Sequence, residues 1–264
     1  MSELYAAYEG LDDLASFADA AQLDRYRSGL LRRSRPQADF LADSIPPRAR
    51  VLEVACGNGR LLVELAKRGL IESALGVDLA HSRIAFAKKW AANLGCESLE
   101  FVAADALEYE LRPGSFDVAL CITGAFAYFE LEAASRLAHK LHRALGAQGL
   151  LCLELYPHPL YRRLLEVTGG EARVWTELPE DDPWRFYLSR LSLEAGEILT
   201  HEKTFIHRSS GAVDGGRTER LRLYTEQSAT EILVSQGFRH ADVFADWSST
   251  CYDGGEVLVL LARK

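Results

Sequence analysis

The sequence predicts an α/β fold built on a doubly wound, mostly parallel sheet. Three observations predict it. Strand-like and helix-like segments alternate over residues 50–156, a Gly-x-Gly turn follows the first strand, and beyond Glu171 the alternation gives way to consecutive strand-like runs.

In chain order, Val51-Leu52-Glu53-Val54-Ala55-Cys56 is a short apolar strand that Gly57-Asn58-Gly59 breaks. Residues 60–68 carry Leu61, Leu62 and Leu65 at helical spacing. Residues 74–77 form a second strand ending at Asp78, 82–94 a helix and 99–102 a third strand. Residues 116–122 are a fourth strand, without charge after Asp117. An amphipathic helix follows over 131–145, on Leu131, Ala134, Leu137, Leu141 and Leu145, and 150–156 is a fifth strand. Antiparallel strands are then predicted over 172–178, 185–193, 198–207 and 217–224, with turns at Ala195-Gly196 and Asp214-Gly215-Gly216. Helical spacing returns over 226–235 and stops at Gly237, and 238–247 and 256–262 close the chain as two strands. The N-terminal stretches 11–17, 22–33 and 37–45 read as helices. The expected organisation is a helical cap over 1–49, a core made of 50–160 and 222–264, and a β-rich insertion over 161–221.

Composition narrows the function. The 264 residues carry 30 Lys+Arg against 38 Asp+Glu, a net charge of −8, and an acidic chain repels phosphate backbones, so no nucleic-acid partner is expected. The longest apolar run, 118–129, is shorter than the ~18 residues of a membrane span, so no membrane partner is expected either. Met1-Ser2-Glu3-Leu4-Tyr5 has neither the basic nor the apolar region of a signal peptide, which points to the cytoplasm. Five scattered cysteines without a CxxC pair read as reduced thiols. His139 and His142 lack an Asp or Cys partner in reach, so no metal site is expected.

The chemistry-bearing residues sit at the strand ends. Gly57 and Gly59 let the backbone turn sharply and let a ligand approach, and the following helix offers free N–H donors. A dinucleotide fingerprint wants Gly or Ala three residues after the second glycine, and Leu62 stands there. Glu53, inside the strand, would repel phosphates and suits a cationic ligand. Asp78 can accept both hydroxyls of a ribose, and Asp105-Ala106, past the third strand, can read an adenine edge.

These motifs, in this order and at these spacings, resemble the class I S-adenosylmethionine-dependent methyltransferases of small-molecule type. The resemblance covers residues 51–155 strongly and the remainder to Lys264 weakly. It implies a Rossmann-like sheet with a C-terminal antiparallel hairpin, an N-terminal helical cap and an antiparallel β insertion after the fifth strand. It also implies S-adenosyl-L-methionine as cofactor. Glu53, Ala55, Cys56, Gly57, Asn58 and Gly59 would cradle its methionine part, and Asp78 would hold the ribose hydroxyls. Leu79, Asp105 and Ala106 would contact adenine, Cys121 and Thr123 would line the sulfonium side, and Tyr26, like Tyr8, resembles a lid tyrosine. Arg33 could pair the cofactor carboxylate.

Nucleic-acid and protein enzymes of this family carry an Asn/Asp-Pro-Pro-aromatic loop after the fourth strand, where this chain has Thr123-Gly124-Ala125-Phe126. A small-molecule acceptor is therefore expected, at nitrogen ahead of oxygen because no strong base motif appears. Tyr156, His158 and Tyr128 are the candidate proton acceptors, against a reading in which Pro157 and Pro159 merely shape a loop. The aromatic-rich insertion, with Trp175, Trp184, Phe186, Tyr187, His201, His207 and Arg217, either lines the acceptor pocket or packs two copies into a homodimer. Two other readings stay open: a cofactor-binding module without turnover, and an NAD-dependent oxidoreductase.

Overall fold

The computed structural model describes residues 8–180, 182–248 and 250–264; the N-terminal pentapeptide and the start of the expected cap lie outside them. The helix α1 (Ala20–Ser44) leads into β1 (Ala49–Val54), α2 (Arg60–Lys67), β2 (Ile71–Asp78), α3 (His81–Asn93) and β3 (Leu99–Ala103). β4 (Phe116–Cys121), α4 (Leu131–Ala144) and β5 (Leu145–Leu155) complete the parallel part. α5 (His158–Val167) follows, then β6 (Glu171–Glu177), β7 (Trp184–Glu194), β8 (Ile198–His207) and β9 (Val213–Arg222). The chain closes with α6 (Glu226–Ser235), β10 (His240–Phe244) and β11 (Leu258–Arg263).

The main sheet has seven strands in the order β10-β11-β5-β4-β1-β2-β3. β1 pairs in parallel with both β2 and β4, so the strand order reverses beside it. A crevice opens outside the carboxyl ends of β1 and β4 at such a switch point, and that is where open α/β sheets bind ligands. β11 runs antiparallel to β5 and to β10, forming the expected C-terminal hairpin. Each face of the sheet is covered. Leu30 and Leu41 of α1, Leu61, Leu62 and Leu65 of α2, and Phe86 and Trp90 of α3 bury one side. Leu137 and Leu141 of α4, Leu165 of α5 and Leu233 of α6 bury the other, together with Leu191, Leu199 and Leu221 from the second sheet. That second sheet is antiparallel, β6-β7-β8-β9. Its ends are tied to β5 through Tyr224, whose N–H donates to the Tyr156 carbonyl and whose carbonyl accepts from His158 N–H.

Several expected elements differ. Residues 11–17 hold only a short 3₁₀ turn, Leu14–Ser16, and the two helices expected over 22–45 are one, running through Pro36. Pro36 removes one backbone donor, and the buried row Leu30, Gln37, Phe40 and Leu41 keeps the helix continuous across it. Pro157 and Pro159 do not shape a loop: α5 starts there, because proline suits a first helical turn whose N–H groups have no partner anyway. Asp214-Gly215-Gly216 lies within β9, beside a register shift at Lys203/Thr204, and not in a turn. Ala195 and Gly196 do form one, both at positive φ, the geometry that matches the twist of flanking strands. Among the described residues no helix is long and apolar enough to cross a membrane, and no group of three or more His, Cys, Asp or Glu could hold a metal.

Gly59 holds the turn from β1 into α2 at φ +72°, and a Cβ there would sit 2.6 Å from the Phe101 ring and 3.1 Å from Ala87. Left-handed strain and overpacking act together, so Gly59→Ala is expected to destabilise the protein by about 2–4 kcal/mol. Urea unfolding reads this as a lowered midpoint, and an unchanged midpoint would show that the turn relaxes freely.

Candidate functional site

The crevice is built from three strand ends. β1 stops at Val54 because Ala55 turns to φ +55° and Gly57 to +56°, which folds the loop back so that Cys56 N–H reaches the Val77 carbonyl of β2. Glu53 is 2% exposed, and its Oε2 has no hydrogen-bond partner. Burial pushes its carboxyl up to about 8, against the opposing field of the Arg60 guanidinium. Asp78 at the end of β2 accepts from Gly57 N–H at 2.8 Å through Oδ2 and from Ala80 N–H at 2.9 Å through Oδ1. Each carboxylate oxygen retains a lone pair for a further donor. Leu79, Asp105 and Ala106 are half-buried beside it, and Ala104 N–H donates to the Asp78 carbonyl. Asp105 also closes its own turn, accepting from Leu107 N–H at 2.8 Å.

Thr123 follows β4 at φ +58°, exposed, with its N–H donating to Glu154 Oε2 at 2.8 Å. Cys121 is fully buried, and burial holds its thiol up at about 12, so that side chain belongs to the core and not to the crevice. Arg60 joins these parts: Nη1 donates to Ser34 Oγ at 2.8 Å and Gln37 Oε1 at 2.7 Å, and Nη2 to Thr123 Oγ1 at 3.4 Å. Gln37 in turn donates to Glu154 at 3.4 Å.

The N-terminal segment straps across the crevice. Glu9 accepts from the N–H groups of His81 and Ser82, capping α3. Asp12 accepts from Tyr26 Oη at 2.5 Å, Asn58 Nδ2 at 3.1 Å and Arg83 Nε at 2.9 Å. The Arg83 guanidinium lies against Gly57, where any Cβ would collide with it.

Above the ends of β4 and β5 stands an aromatic group. Tyr128 closes the 3₁₀ turn Ala125–Tyr128 and hydrogen-bonds Tyr8. The Tyr156 ring packs where a side chain on Gly124 would be, edge-on to Tyr161 at 6.0 Å. Burial raises the phenols of Tyr8, Tyr128 and Tyr156 above the ordinary tyrosine value. His158 is placed differently: its Nε2 contacts the Gly196 carbonyl at 2.7 Å, in the turn between β7 and β8.

The structure thus brings Ala55, Gly57, Asn58, Gly59, Asp78 and Thr123 together at the ends of β1, β2 and β4, with Glu53 and the Cys56 thiol buried beneath them and Tyr26 linked to them through Asp12. Asp12, Arg60, Arg83 and Glu154 were not singled out from the sequence. Glu154 carried one signal, an acid inside the apolar run 150–156; Asp12 and Arg83 carried none, because only the fold brings the two elements together.

With this geometry established, comparison with known proteins decides the family. A family profile described as a methyltransferase domain matches residues 51–149. A demethylmenaquinone methyltransferase from Thermus thermophilus is 30% identical over 181 residues, 64% of this chain and 74% of that protein. The chain belongs to the class I S-adenosylmethionine-dependent methyltransferases. The fold of this methyltransferase also matches an S-adenosylmethionine-dependent methyltransferase from Clostridium acetobutylicum, with TM-score 0.73, 17% identity, and coverage of 87% of this chain and 91% of that one. An amino pentose methyltransferase from Micromonospora echinaspora, solved with its cofactor bound, superimposes with TM-score 0.65 at 16% identity. That match covers 94% of this chain and 98% of the other.

Proposed function

We propose that this methyltransferase moves the methyl group of S-adenosylmethionine to a small molecule, at nitrogen ahead of oxygen. The observation that carries this reading is the tyrosine group, Tyr8, Tyr128 and Tyr156, beside the switch-point crevice and under the second sheet. Phenols held above their ordinary pKa do not ionise to strip a hydroxyl ahead of attack, so they favour a nucleophile that attacks with its proton in place. A neutral amine is such a nucleophile: it attacks through its lone pair and sheds its proton afterwards. The near full-length likeness to an amino pentose enzyme supports the same reading.

In this reading the fold divides into a cap, 1–49, a core, 50–160 with 222–264, and an insertion, 161–221, that closes over the acceptor. The cofactor, when bound, supplies a methyl group on a sulfonium. Its cationic methionine end suits the buried, unpartnered oxygen of Glu53, and the turn 55–59 with Tyr26 forms the cradle around it. Asp78 takes the ribose hydroxyls with its remaining lone pairs, while Leu79, Asp105 and Ala106 contact adenine. Thr123 and the backbone at Cys121 border the methyl. Tyr128 and Tyr156 stand on the acceptor side. Catalysis is then largely alignment of nucleophile, methyl and sulfur, worth up to ~7–11 kcal/mol.

Titration calorimetry with S-adenosylmethionine and S-adenosylhomocysteine, with NAD as control, tests the cradle. Asp78→Ala is expected to weaken cofactor binding by about 1–3 kcal/mol, and unchanged affinity would remove Asp78 from the site. Transfer of labelled methyl onto a panel of amines and hydroxyl compounds tests the acceptor. Product on hydroxyls alone would reverse the nitrogen preference, and binding without product on any compound would favour a module without turnover.

A further inference from the structure

One buried cluster lies outside the cofactor cradle and is joined to Tyr128, on the turn after β4, through Tyr8. On β9, Glu219 is 3% exposed and stands directly across from His201 of β8. Its Oε1 accepts from Tyr8 Oη at 2.6 Å, and its Oε2 faces Lys203 Nζ at 2.5 Å and His201 Nδ1 at 4.0 Å. His201 Nε2 lies 2.7 Å from Tyr187 Oη and 2.8 Å from Ser189 Oγ. A buried carboxylate is costly unless it is paired, and here a lysine from the next strand faces it.

The donors in this cluster have a fixed direction. Glu219 can only accept, so Tyr8 donates to it. The Tyr8 proton is thereby committed, so in the Tyr8–Tyr128 pair Tyr128 donates and Tyr8 accepts. Tyr128 has then used its own proton, and what its oxygen presents to a further group is a lone pair. The chain reads Tyr128 to Tyr8 to Glu219, with an open acceptor at the end nearest the turn after β4. Burial together with the charge of Glu219 keeps both phenols protonated, which is the state this direction requires. Burial and the Lys203 ammonium push His201 down to about 4, so it stands neutral beside the carboxylate and adds no second cation. Tyr156 and Tyr187 also feel the charge of Glu219.

We propose that the second sheet supplies the proton sink of the methyl-transfer site: Glu219 takes, through Tyr8 and Tyr128, the proton that the acceptor nitrogen sheds. This rests on the small-molecule nitrogen reading above. The nitrogen lone pair forms the N–C bond, and the C–S electron pair leaves on sulfur as the neutral thioether. The alkylated nitrogen, now cationic, passes its N–H proton to the Tyr128 oxygen. The Tyr128 proton moves to Tyr8 and the Tyr8 proton to Glu219, which ends as a neutral carboxyl beside Lys203. Tyr128 is the group that meets the acceptor; Tyr8 and Glu219 are positioning residues that act through it. The substrate class that fits is an amine presenting at least one N–H, not a tertiary amine.

The test is steady-state methyl transfer to a panel of primary, secondary and tertiary amines, with cofactor affinity and thermal unfolding measured on each protein. Glu219→Gln and Tyr128→Phe are expected to lower kcat about a hundredfold with cofactor affinity unchanged, the amine KM is expected to hold in Glu219→Gln, and Glu219→Asp is expected to restore most of the rate. Tyr128→Phe leaves the Glu219–Lys203 pair intact, so it remains readable if Glu219→Gln folds poorly. Wild-type kcat in both variants overturns the relay, as does a loss of kcat that tracks a loss of cofactor affinity. A wild type active only on tertiary amines overturns it too. A wild type inactive on every amine overturns the nitrogen reading itself, and is told apart by its intact cofactor binding. Isotope-labelled tyrosine ζ-carbon resonances, assigned with Tyr8→Phe and Tyr128→Phe, need no acceptor: if Glu219→Gln moves neither, the chain does not exist.

Discussion

Replacing Arg60 by Met is expected to lower the stability of the ligand-free protein by about 3 kcal/mol, the scale for removing one partner from a largely desolvated polar network. The guanidinium is the point at which α1, the loop after β1 and the loop after β4 meet. It donates to Ser34 and Gln37, which are 0% and 6% exposed, and to Thr123. Its field also offsets the burial of Glu53 and Glu154. Met fills the same length of space but strands the Gln37 carbonyl oxygen and leaves both carboxyls opposed only by their neighbours. The loss should be coupled to Glu53. Above about pH 8, where Glu53 is ionised, the deficit in Glu53→Gln/Arg60→Met is expected to shrink by more than about 0.5 kcal/mol relative to additivity, because the charge that Arg60 offsets is gone. Equilibrium urea unfolding of the four proteins closes this cycle. Strict additivity would mean that Arg60 acts through its hydrogen bonds alone.

This network also shows what was legible in the sequence. The parallel core could be read because its strands are short apolar runs, the first two closed by a glycine turn and an acid, and its helices repeat their apolar residues at a period the sheet does not share. Glu53, Gly57, Gly59 and Asp78 announced themselves by being out of character for the strands that carry them. The strap formed by Glu9 and Asp12 left no such trace: residues 11–17 read as a helix, and only the folded chain shows Glu9 capping α3 and Asp12 bonding Arg83. Pro36 and the pair Pro157 and Pro159 misled in opposite directions. One sits inside a helix held by packing, and the others begin a helix where a loop was expected. Lys203 and Glu219 lay in strands whose partners were unknown, and a pairing of β8 with β9 that includes a bulge cannot be registered from alternation alone.

Glu53 gives the sharpest dependence on pH. In the folded, ligand-free protein its carboxyl titrates near 8, against 4.5 for an unhindered one. Between those values the folded chain holds a proton that the unfolded chain has released, so stability falls as pH rises from about 4.5 through about 8 and is level above that. The full effect is about 3–5 kcal/mol. Burial raises the Glu154 carboxyl as well, which adds to the fall with the same sign. Glu53→Gln carries no charge to desolvate. It is therefore expected to lose less stability than the parent across this window, and to exceed it on the alkaline side by that amount. Urea unfolding at a series of pH values checks this, and parallel curves for the two proteins would show that Glu53 is ionised without cost. Cofactor binding should reverse the balance, because a cationic methionine end beside Glu53 favours the carboxylate. Binding near neutral pH then expels a proton, and the measured enthalpy varies with the ionisation heat of the buffer in the parent but not in Glu53→Gln. Such a difference would show that one buried carboxyl, which destabilises the empty fold, is retained for the charge it meets.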